Sequence, residues 1–256
     1  MRTAATLASL SLIPLCGVAP VGLLAQSHHG AHWTYEGETG PAHWGSLDTA
    51  FARCATGHAQ SPIDIAAPTH GTLPSITIRY QPTWINVLNN GHTIQVNYDS
   101  GSAVEVDGIR YALIQFHFHV PSEHTVGGKP AAAELHLVHR SATGRLAVIG
   151  VLIEPGAENA ALAPLWAHLP AKAGPVQAVS ARINAADLLP AQRTTYRYDG
   201  SLTTPPCSEG VRWIVMTSPI TLSQQQINSL TAILHGNNRP VQPLDQRTVT
   251  SDAAAQ

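Results

Sequence analysis

Two short segments with alternating histidines constrain this chain more than any other feature of its sequence. The first reads Gln115-Phe116-His117-Phe118-His119 and the second reads Glu134-Leu135-His136. Because residues i and i+2 of a β-strand share a face, both histidines of the first segment point to one side and its phenylalanines to the other. Gly127-Gly128, a strong turn signal, lies between the segments. The pattern predicts two neighbouring strands that bring three imidazoles to one point.

Three converging imidazoles are typical of a catalytic zinc site. Structural zinc sites usually have four protein ligands, whereas catalytic sites keep one position for water, so His117, His119 and His136 favour chemistry at a Zn²⁺ cofactor. Gln115 and Glu134 each precede a histidine by two residues and are placed to orient it through its other nitrogen. The alternative is metal-free strand histidines, since the chain contains 14 histidines. Cobalt or another divalent ion would also suit three imidazoles, although zinc suits them well.

Strand signals also dominate the rest of the chain. Alternating or β-branched runs predict strands at Ile76 to Tyr80, Ile85 to Leu88, His92 to Tyr98, Ala103 to Val106, Arg110 to His119, Ala132 to Val138, Leu146 to Ile153, Thr194 to Tyr198 and Arg212 to Met216. Helices are predicted only at Ala157 to His168, as a short piece after Val176, and at Ser223 to Leu234. Few helices around many strands predict an α+β, β-dominated fold.

Composition limits the partners of the chain. At 256 residues and 44% hydrophobic content, the chain can bury one sizeable core as a single domain. Charged residues make up 12% of the sequence and the formal net charge is −2. There is no basic stripe of the kind that nucleic-acid or anionic-membrane binding needs, so neither class of partner is expected.

The first 25 residues resemble an export signal. Arg2 precedes an apolar run from Ala4 to Ala25 that contains Pro14 and Pro20, and a core helix rarely tolerates two prolines. We predict a signal peptide at 1–25, one domain at 26–250 and a mobile tail at 251–256, with cleavage after Ala25. The mature protein is then periplasmic or secreted and does not contact a membrane. The alternatives are an uncleaved membrane anchor and lipid attachment at Cys16.

The cysteine count fits an exported protein. Removing the signal removes Cys16 and leaves Cys54 and Cys207, an even number in a compartment that permits disulfides. A reduced, buried pair is the alternative interpretation.

Six motifs in order resemble a known family. They are Gln60-Ser61-Pro62-Ile63-Asp64-Ile65, Asn90-Gly91-His92, Gln115 to His119, Ser122-Glu123-His124-Thr125, Glu134 to His139, and Tyr198 to Pro206. Together, within a stretch from about His32 to about Gln242, they resemble the α-class carbonic anhydrases, and specifically the bacterial exported members. The resemblance implies a large, mostly antiparallel, central twisted sheet with a few short peripheral helices and a metal at the base of a conical cleft.

The resemblance also implies a reaction, the reversible hydration of carbon dioxide to bicarbonate and a proton by zinc-bound hydroxide. Thr203 would accept the hydroxide's proton and donate its own to Glu123, and His92 would export the product proton. Without the resemblance, Thr203 would be interpreted as a turn residue, Glu123 as a surface carboxylate and His92 as a surface histidine. Weak ester hydrolysis is an expected side activity. The alternative function is a non-catalytic zinc-binding module, which would be expected to lack a ligand.

Further residues receive roles by their match to the family motifs. Thr204 would position bicarbonate, and the carbonyl of Asn237 would orient His119. An apolar wall for carbon dioxide is implied at Val138, Val148, Leu202, Val211 and Trp213, and an opposing polar wall at Tyr35, Asn90 and Gln95. His124 is expected to make a structural hydrogen bond near Glu123. In the bacterial members cysteines at the positions of Cys54 and Cys207 form a disulfide, which here would pin the loop of Thr203. The only expected partner is the small-molecule substrate, with a homodimer left open.

Overall fold

The computed structural model describes residues 31–253, so the predicted signal peptide lies outside the described part of the chain. Its strands are β1 (Asp64–Ile65), β2 (Thr69–His70), β3 (Thr77–Arg79), β4 (Thr83–Asn89), β5 (Ile94–Asn97), β6 (Ala103–Val106), β7 (Ile109–His119), β8 (Thr125–Val126), β9 (Lys129–Pro130), β10 (Ala133–Ser141), β11 (Leu146–Pro155), β12 (Gln177–Ile183), β13 (Thr195–Ser201), β14 (Glu209–Met216), β15 (Ile220–Leu222) and β16 (Thr250–Ser251).

Thirteen of these strands, all within residues 31–253, form one large sheet. Its main path runs β12-β4-β5-β7-β10-β11-β14-β13-β16-β2, with β6 beside β7, β3 beside β6, and β15 beside β11. Most pairs are antiparallel, but β11 runs parallel to β14 and β15, and β16 runs parallel to β2. The remaining three strands form a small sheet in the order β1-β8-β9. The predicted β-dominated α+β fold with a large, mostly antiparallel sheet is therefore confirmed.

The two histidine segments lie on adjacent central strands of this sheet. Strands β7 and β10 are antiparallel, with His136 opposite His117 and Glu134 opposite His119. Strand β10 is buried along almost its whole length, because strands and loops cover both faces of the sheet there. The register shifts between Val138 and His139, which marks a β-bulge just beyond the part of the strand that carries Glu134 and His136.

Each face of the sheet has its own apolar cluster. The larger cluster contains the phenylalanines of β7 together with Leu135, Leu137 and Ile149. The smaller one contains Val138, Val148, Val211 and Trp213. Since neighbouring residues of a strand point to opposite faces, the smaller cluster lies on the face that carries the three histidines.

Helices are short and peripheral. They are α1 (Trp44–Leu47), α2 (Arg53–Thr56), α3 (Ala163–Trp166) and α4 (Gln224–Leu234), with 3₁₀ turns at Gly37–Thr39, Thr49–Phe51, Ala160–Leu162 and Ala185–Leu188. Helix α4 begins with a capping box, in which Ser223 and Gln226 bond each other's backbone N–H groups. This box explains why the predicted start of that helix is accurate. The helix predicted at Ala157 to His168 is reduced to a 3₁₀ turn followed by α3.

The short helix predicted after Val176 is wrong, because this segment forms strand β12. It pairs antiparallel with β4 at an edge of the sheet, where Val179 lies opposite Ile85. Val179 and Ile183 are buried in the larger apolar cluster while Gln177 and Arg182 stay exposed. Burial of these β-branched side chains against the sheet outweighs the weak local helix preference of the segment.

The end of the described chain also joins the sheet. Ser251 in β16 is buried, so the predicted mobile tail at 251–256 overlaps a strand, and its residues 254–256 lie outside the described part of the chain. Among residues 31–253, none of the helices has the length and apolar character that a bilayer crossing requires.

Candidate metal centre

Three histidines from two strands meet on one face of the sheet. One ring nitrogen from each of His117, His119 and His136 lies within 4.8 Å of the others. His117 and His119 are two residues apart on β7, and His136 lies directly opposite His117 on the neighbouring strand β10. Strand alternation and the β7–β10 register therefore bring these three rings together.

Each of the three rings has an oxygen acceptor next to the nitrogen on its outer side. His117 Nδ1 lies 2.8 Å from Gln115 Oε1, and His119 Nδ1 lies 2.7 Å from the carbonyl oxygen of Asn237. His136 Nε2 lies 2.9 Å from Glu134 Oε1, in a contact too bent to count as a regular hydrogen bond. An outer acceptor of this kind fixes the tautomer and ring orientation of a metal-binding histidine.

The inner nitrogens fit a metal ion. His119 Nε2 is buried and has no hydrogen-bond partner among the described residues, a costly state for a polar atom unless something binds it. Burial lowers the pKa of His117 well below its usual value, lowers that of His119 to about 4, and lowers that of His136. Neutral imidazoles with a free nitrogen are what a divalent cation requires.

A second group of possible ligands, His124, Glu134 and His136, is instead held by hydrogen bonds. His124 Nδ1 lies 2.7 Å from Glu134 Oε1, and its Nε2 lies 2.6 Å from the hydroxyl of Tyr198. Glu134 Oε2 accepts the backbone N–H groups of Glu123 and His124. Burial would raise the pKa of Glu134, but His124 and His136 beside it lower it well below its usual range. This network supports the metal centre and leaves no atom of His124 free for a cation.

Glu123 lies between the histidines and Thr203. Its Oε2 is 3.5 Å from His119 Nε2 and 3.9 Å from His136 Nδ1. Burial raises the pKa of Glu123 to about 7, while His136, the N–H of Arg239 and the Thr203 hydroxyl oppose that rise. Oε2 has no regular hydrogen bond among the described residues, so this carboxylate faces the metal centre with an unused acceptor.

Arg239 ties several of these groups together. Its N–H donates to Glu123 Oε1 over 2.9 Å. Its guanidinium, only 1% exposed, donates to Gln60 Oε1, to the carbonyl of Ser61 and to the carbonyl of Cys54. Cys54 is disulfide-bonded to Cys207, four residues after Thr203. The loop of Thr203, the disulfide and the Glu123 carboxylate therefore form one connected structure.

A small cleft of about 140 Å³ opens onto the histidines. Its lining includes His117 and His119 and the three residues predicted for the polar wall, Tyr35, Asn90 and Gln95. The other lining residues are Trp33, His92, Thr93, Gln115 and Thr204. His92 stacks flat on Trp33 with ring centroids 3.7 Å apart. Burial lowers the pKa of His92, and the nearby His32 lowers it further by a smaller amount. The structure brings His92 and Thr204 to the same cleft as the metal-facing rings.

The residues predicted for the apolar wall lie together. Four of them are buried in the smaller apolar cluster, and Leu202 packs against it as a half-buried side chain. Trp213 also donates its ring N–H to the carbonyl of Ser201 over 2.9 Å, which anchors the strand end that leads to Thr203. The set is a continuous apolar surface beside the metal centre.

Sequence reasoning missed Arg239, Trp33 and the pairing of Tyr198 with His124. Tyr198 was found within a motif, but the Ser61 hydroxyl that accepts its hydrogen bond lies 137 residues away in sequence. Neither Arg239 nor Trp33 stands in a pattern that indicates a role. Their contacts depend on the assembled sheet and have no local signal.

Comparisons with known proteins agree with this geometry. A model of the eukaryotic-type carbonic anhydrase family matches residues 39–253. The carbonic anhydrase of Klebsiella pneumoniae is 44% identical over 248 residues, which are 96% of this chain and 96% of that protein. For the carbonic anhydrase of Pectobacterium atrosepticum the identity is 42% over 226 residues, covering 88% and 93%. The α-carbonic anhydrase of Thermovibrio ammonificans, solved with the inhibitor sulfanilamide, matches with a TM-score of 0.85 and 46% identity, covering 86% of this chain and 99% of that one.

Proposed function

Because this chain belongs to the eukaryotic-type carbonic anhydrase family and is a carbonic anhydrase, we propose that it hydrates carbon dioxide reversibly at a zinc ion held by His117, His119 and His136. The observation that carries this proposal is the set of three buried rings, each with one nitrogen turned to a common point and the other facing an oxygen acceptor. Zinc bound there supplies the acidification of water that hydration requires, chemistry for which carbonic anhydrases are the standard example.

The chain's own residues orient the reacting water. The Thr203 hydroxyl accepts a hydrogen bond from that water and donates its own hydrogen to the unused acceptor of Glu123. The proximity of Thr203 to this carboxylate and the anchoring of Glu123 by the Arg239 N–H support this arrangement. Thr204 contributes a polar side chain at the cleft for the bicarbonate product. The apolar wall of Val138, Val148, Leu202, Val211 and Trp213 gives uncharged carbon dioxide a site that does not favour water.

His92 carries the product proton out of the cleft. Its ring lines the cleft and is half-buried against Trp33. An imidazole can accept and release a proton near neutral pH, so His92 can receive the proton at one ring nitrogen and release it to buffer. Weak ester hydrolysis stays a prediction of the same site.

Export is part of the proposal as well. The Cys54–Cys207 bond supports an oxidising compartment, and the signal peptide at 1–25 would deliver the chain there. Thiol counting on the denatured, unreduced protein from the periplasm should find no free thiol. Two free thiols per chain would contradict both the bond and this location.

The deciding experiment measures carbon dioxide hydration before chelation, after chelation and after zinc is returned. We expect activity to disappear with the metal and to return with one equivalent of zinc per chain. Full activity in metal-free protein would exclude zinc chemistry. Stoichiometric zinc without any hydration would instead favour a non-catalytic zinc-binding module.

A further inference from the structure

A second cavity lies on the opposite face of the sheet from the three histidines. It measures about 530 Å³ and is lined by Ser75, Ile76, Ile78, Arg79, Tyr80, Ile149, Ala186, Arg193, Thr195, Arg197, Ile214, Met216 and Asp252. We call it the back cavity. Ile149 and Ile214 are register partners whose neighbours Val148 and Trp213 belong to the metal-side cluster. The sheet therefore separates the back cavity from the catalytic cleft.

The floor of the back cavity is apolar. Ile149, Ile214 and Met216 lie deepest and are at most 1% exposed, so the apolar surface that a ligand can cover comes mainly from Ile76 and Ile78, which close one side as half-buried side chains. Water over such a surface makes few hydrogen bonds, so a hydrocarbon group gains free energy there roughly in proportion to the apolar area that it covers.

The opening of the back cavity is cationic. Arg79 and Arg193 are exposed and, among residues 31–253, neither guanidinium has a hydrogen bond or an ion pair. Arg197 is already engaged, because each of its three side-chain nitrogens donates one hydrogen bond, to Thr195 Oγ1, to the carbonyl of Pro74 and to Asp252 Oδ2. Asp252 is the one carboxylate in the described lining, and it already accepts from Arg197 and from the N–H of Thr195. Two guanidinium groups thus remain free for an external anion.

Tyr80, which also lines the back cavity, does not compete for these cations. His139 Nδ1 faces the carbonyl of Ala147 at 3.3 Å and so carries the hydrogen, which makes Nε2 the acceptor for the Tyr80 hydroxyl 2.7 Å away. Tyr80 is therefore a neutral donor that is already used. Its oxygen presents only lone pairs to the cavity.

We propose that the back cavity binds a small amphipathic organic carboxylate, with its head at Arg79 and Arg193 and its hydrocarbon body on the isoleucine floor. Guanidinium groups match a carboxylate through paired charge-assisted hydrogen bonds. An inorganic anion would leave the apolar floor uncovered, and a neutral hydrocarbon would leave both cations without a partner. Only a ligand with both parts uses the whole lining.

The test measures binding of octanoate to the full-length, zinc-loaded protein by calorimetry. Acetate, which has the carboxylate without the long chain, and 1-octanol, which has the chain without the carboxylate, serve as controls. We expect octanoate to bind at least about tenfold more tightly than either, where each decade of affinity needs about 1.4 kcal/mol. The gain over acetate comes from buried methylenes, at about 0.8 kcal/mol each, and the gain over 1-octanol comes from charge-assisted hydrogen bonds between the carboxylate and the guanidinium groups. Amide chemical shifts should move most at residues 76–80 and 193–197. Equal affinity for all three compounds, or shifts confined to residues 90–95 and 117–119, would overturn the proposal.

Matched variants identify the two halves of the site. Arg79→Ala combined with Arg193→Ala should weaken octanoate binding by about tenfold or more, while Arg145→Ala, at an exposed arginine outside the cavity, should leave it unchanged. Ala186→Phe should block binding by filling the cavity without removing a charge. All variants should keep the zinc content and hydration rate of the parent protein. Undiminished octanoate binding in both the double variant and Ala186→Phe would show that the back cavity is not the site.

Discussion

Two buried histidines on strand β10 lie three residues apart and face opposite sides of the sheet. His136 turns to the metal centre, where one nitrogen faces Glu134 and the other has only Glu123, at 3.9 Å. His139 turns to the back face, where its two nitrogens face the carbonyl of Ala147 and the hydroxyl of Tyr80. Both residues are at most 1% exposed, so burial alone does not distinguish them.

The hydrogen-bond partners do distinguish them. A buried imidazole with acceptors or donors at both nitrogens is satisfied as a neutral side chain, and burial lowers the pKa of His139 to about 4. A ring with one oriented and one unused nitrogen is prepared for a metal ion. The hydrogen-bond partners of the ring nitrogens therefore distinguish a candidate metal ligand from a structural histidine on the same strand.

Removal of each ring should give the largest difference between the two histidines. We expect His136→Ala to lose most bound zinc and to lower the hydration rate by at least about a thousandfold, a loss of roughly 4 kcal/mol of transition-state stabilisation. His139→Gln, the matched control, should keep stoichiometric zinc and nearly full activity. Metal analysis and stopped-flow hydration assays on both variants measure these effects. Normal zinc content and rate in His136→Ala would remove this histidine from the site.

A smaller effect is expected where the metal ligands stay and only the reacting water loses its orientation. Thr203→Ala should lower the rate of carbon dioxide/bicarbonate exchange by about a hundredfold, within the range for removal of one catalytic hydrogen bond. Zinc content should not change, and added imidazole buffer should not restore the rate. Isotope exchange at chemical equilibrium measures this step. A wild-type exchange rate in this variant would mean that Thr203 is only a turn residue.

Proton export should be separable from both of these steps. His92→Ala is expected to lower maximal turnover in weak buffer by about tenfold, which is less than the typical effect of a general acid–base group, because the proton can also leave through buffer. The exchange step should remain unchanged, because it needs no proton export, and imidazole buffer should restore much of the lost turnover. Equal turnover of wild type and His92→Ala in weak buffer would rule out His92 as the main shuttle.

The sequence could predict the parts of this site that follow from strand parity. Alternation placed His117 and His119 on one face, and the turn at Gly127-Gly128 was compatible with the antiparallel pairing of β7 and β10. Strand parity could not identify Arg239, because its hydrogen-bond partners are separated from it by 116 to 185 positions in the sequence. It could not recognise β12 either, since the burial that stabilises this strand comes from the assembled sheet. Long-range partners leave no local pattern in the sequence.

The smallest effect concerns His139, and it is a change in the pH dependence of stability. In the unfolded chain a histidine has a pKa near 6.5, whereas burial lowers the pKa of His139 in the folded protein to about 4. Between these values the unfolded state binds a proton that the folded state does not, so this group destabilises the fold as the pH falls. Between pH 7 and pH 5 the loss should be about 2 kcal/mol.

His139→Gln tests this expectation, because glutamine keeps hydrogen-bonding atoms for Tyr80 and Ala147 but does not titrate. Urea unfolding at pH 7 and pH 5 should show a stability loss about 2 kcal/mol smaller in the variant than in wild type. Every other titrating group is common to both proteins, including those that hold zinc, so their contributions cancel in the difference. An identical loss in the two proteins would mean that His139 binds its proton equally well folded and unfolded. The Tyr80 and Ala147 contacts would then not keep the ring neutral, and the distinction between it and His136 would fail.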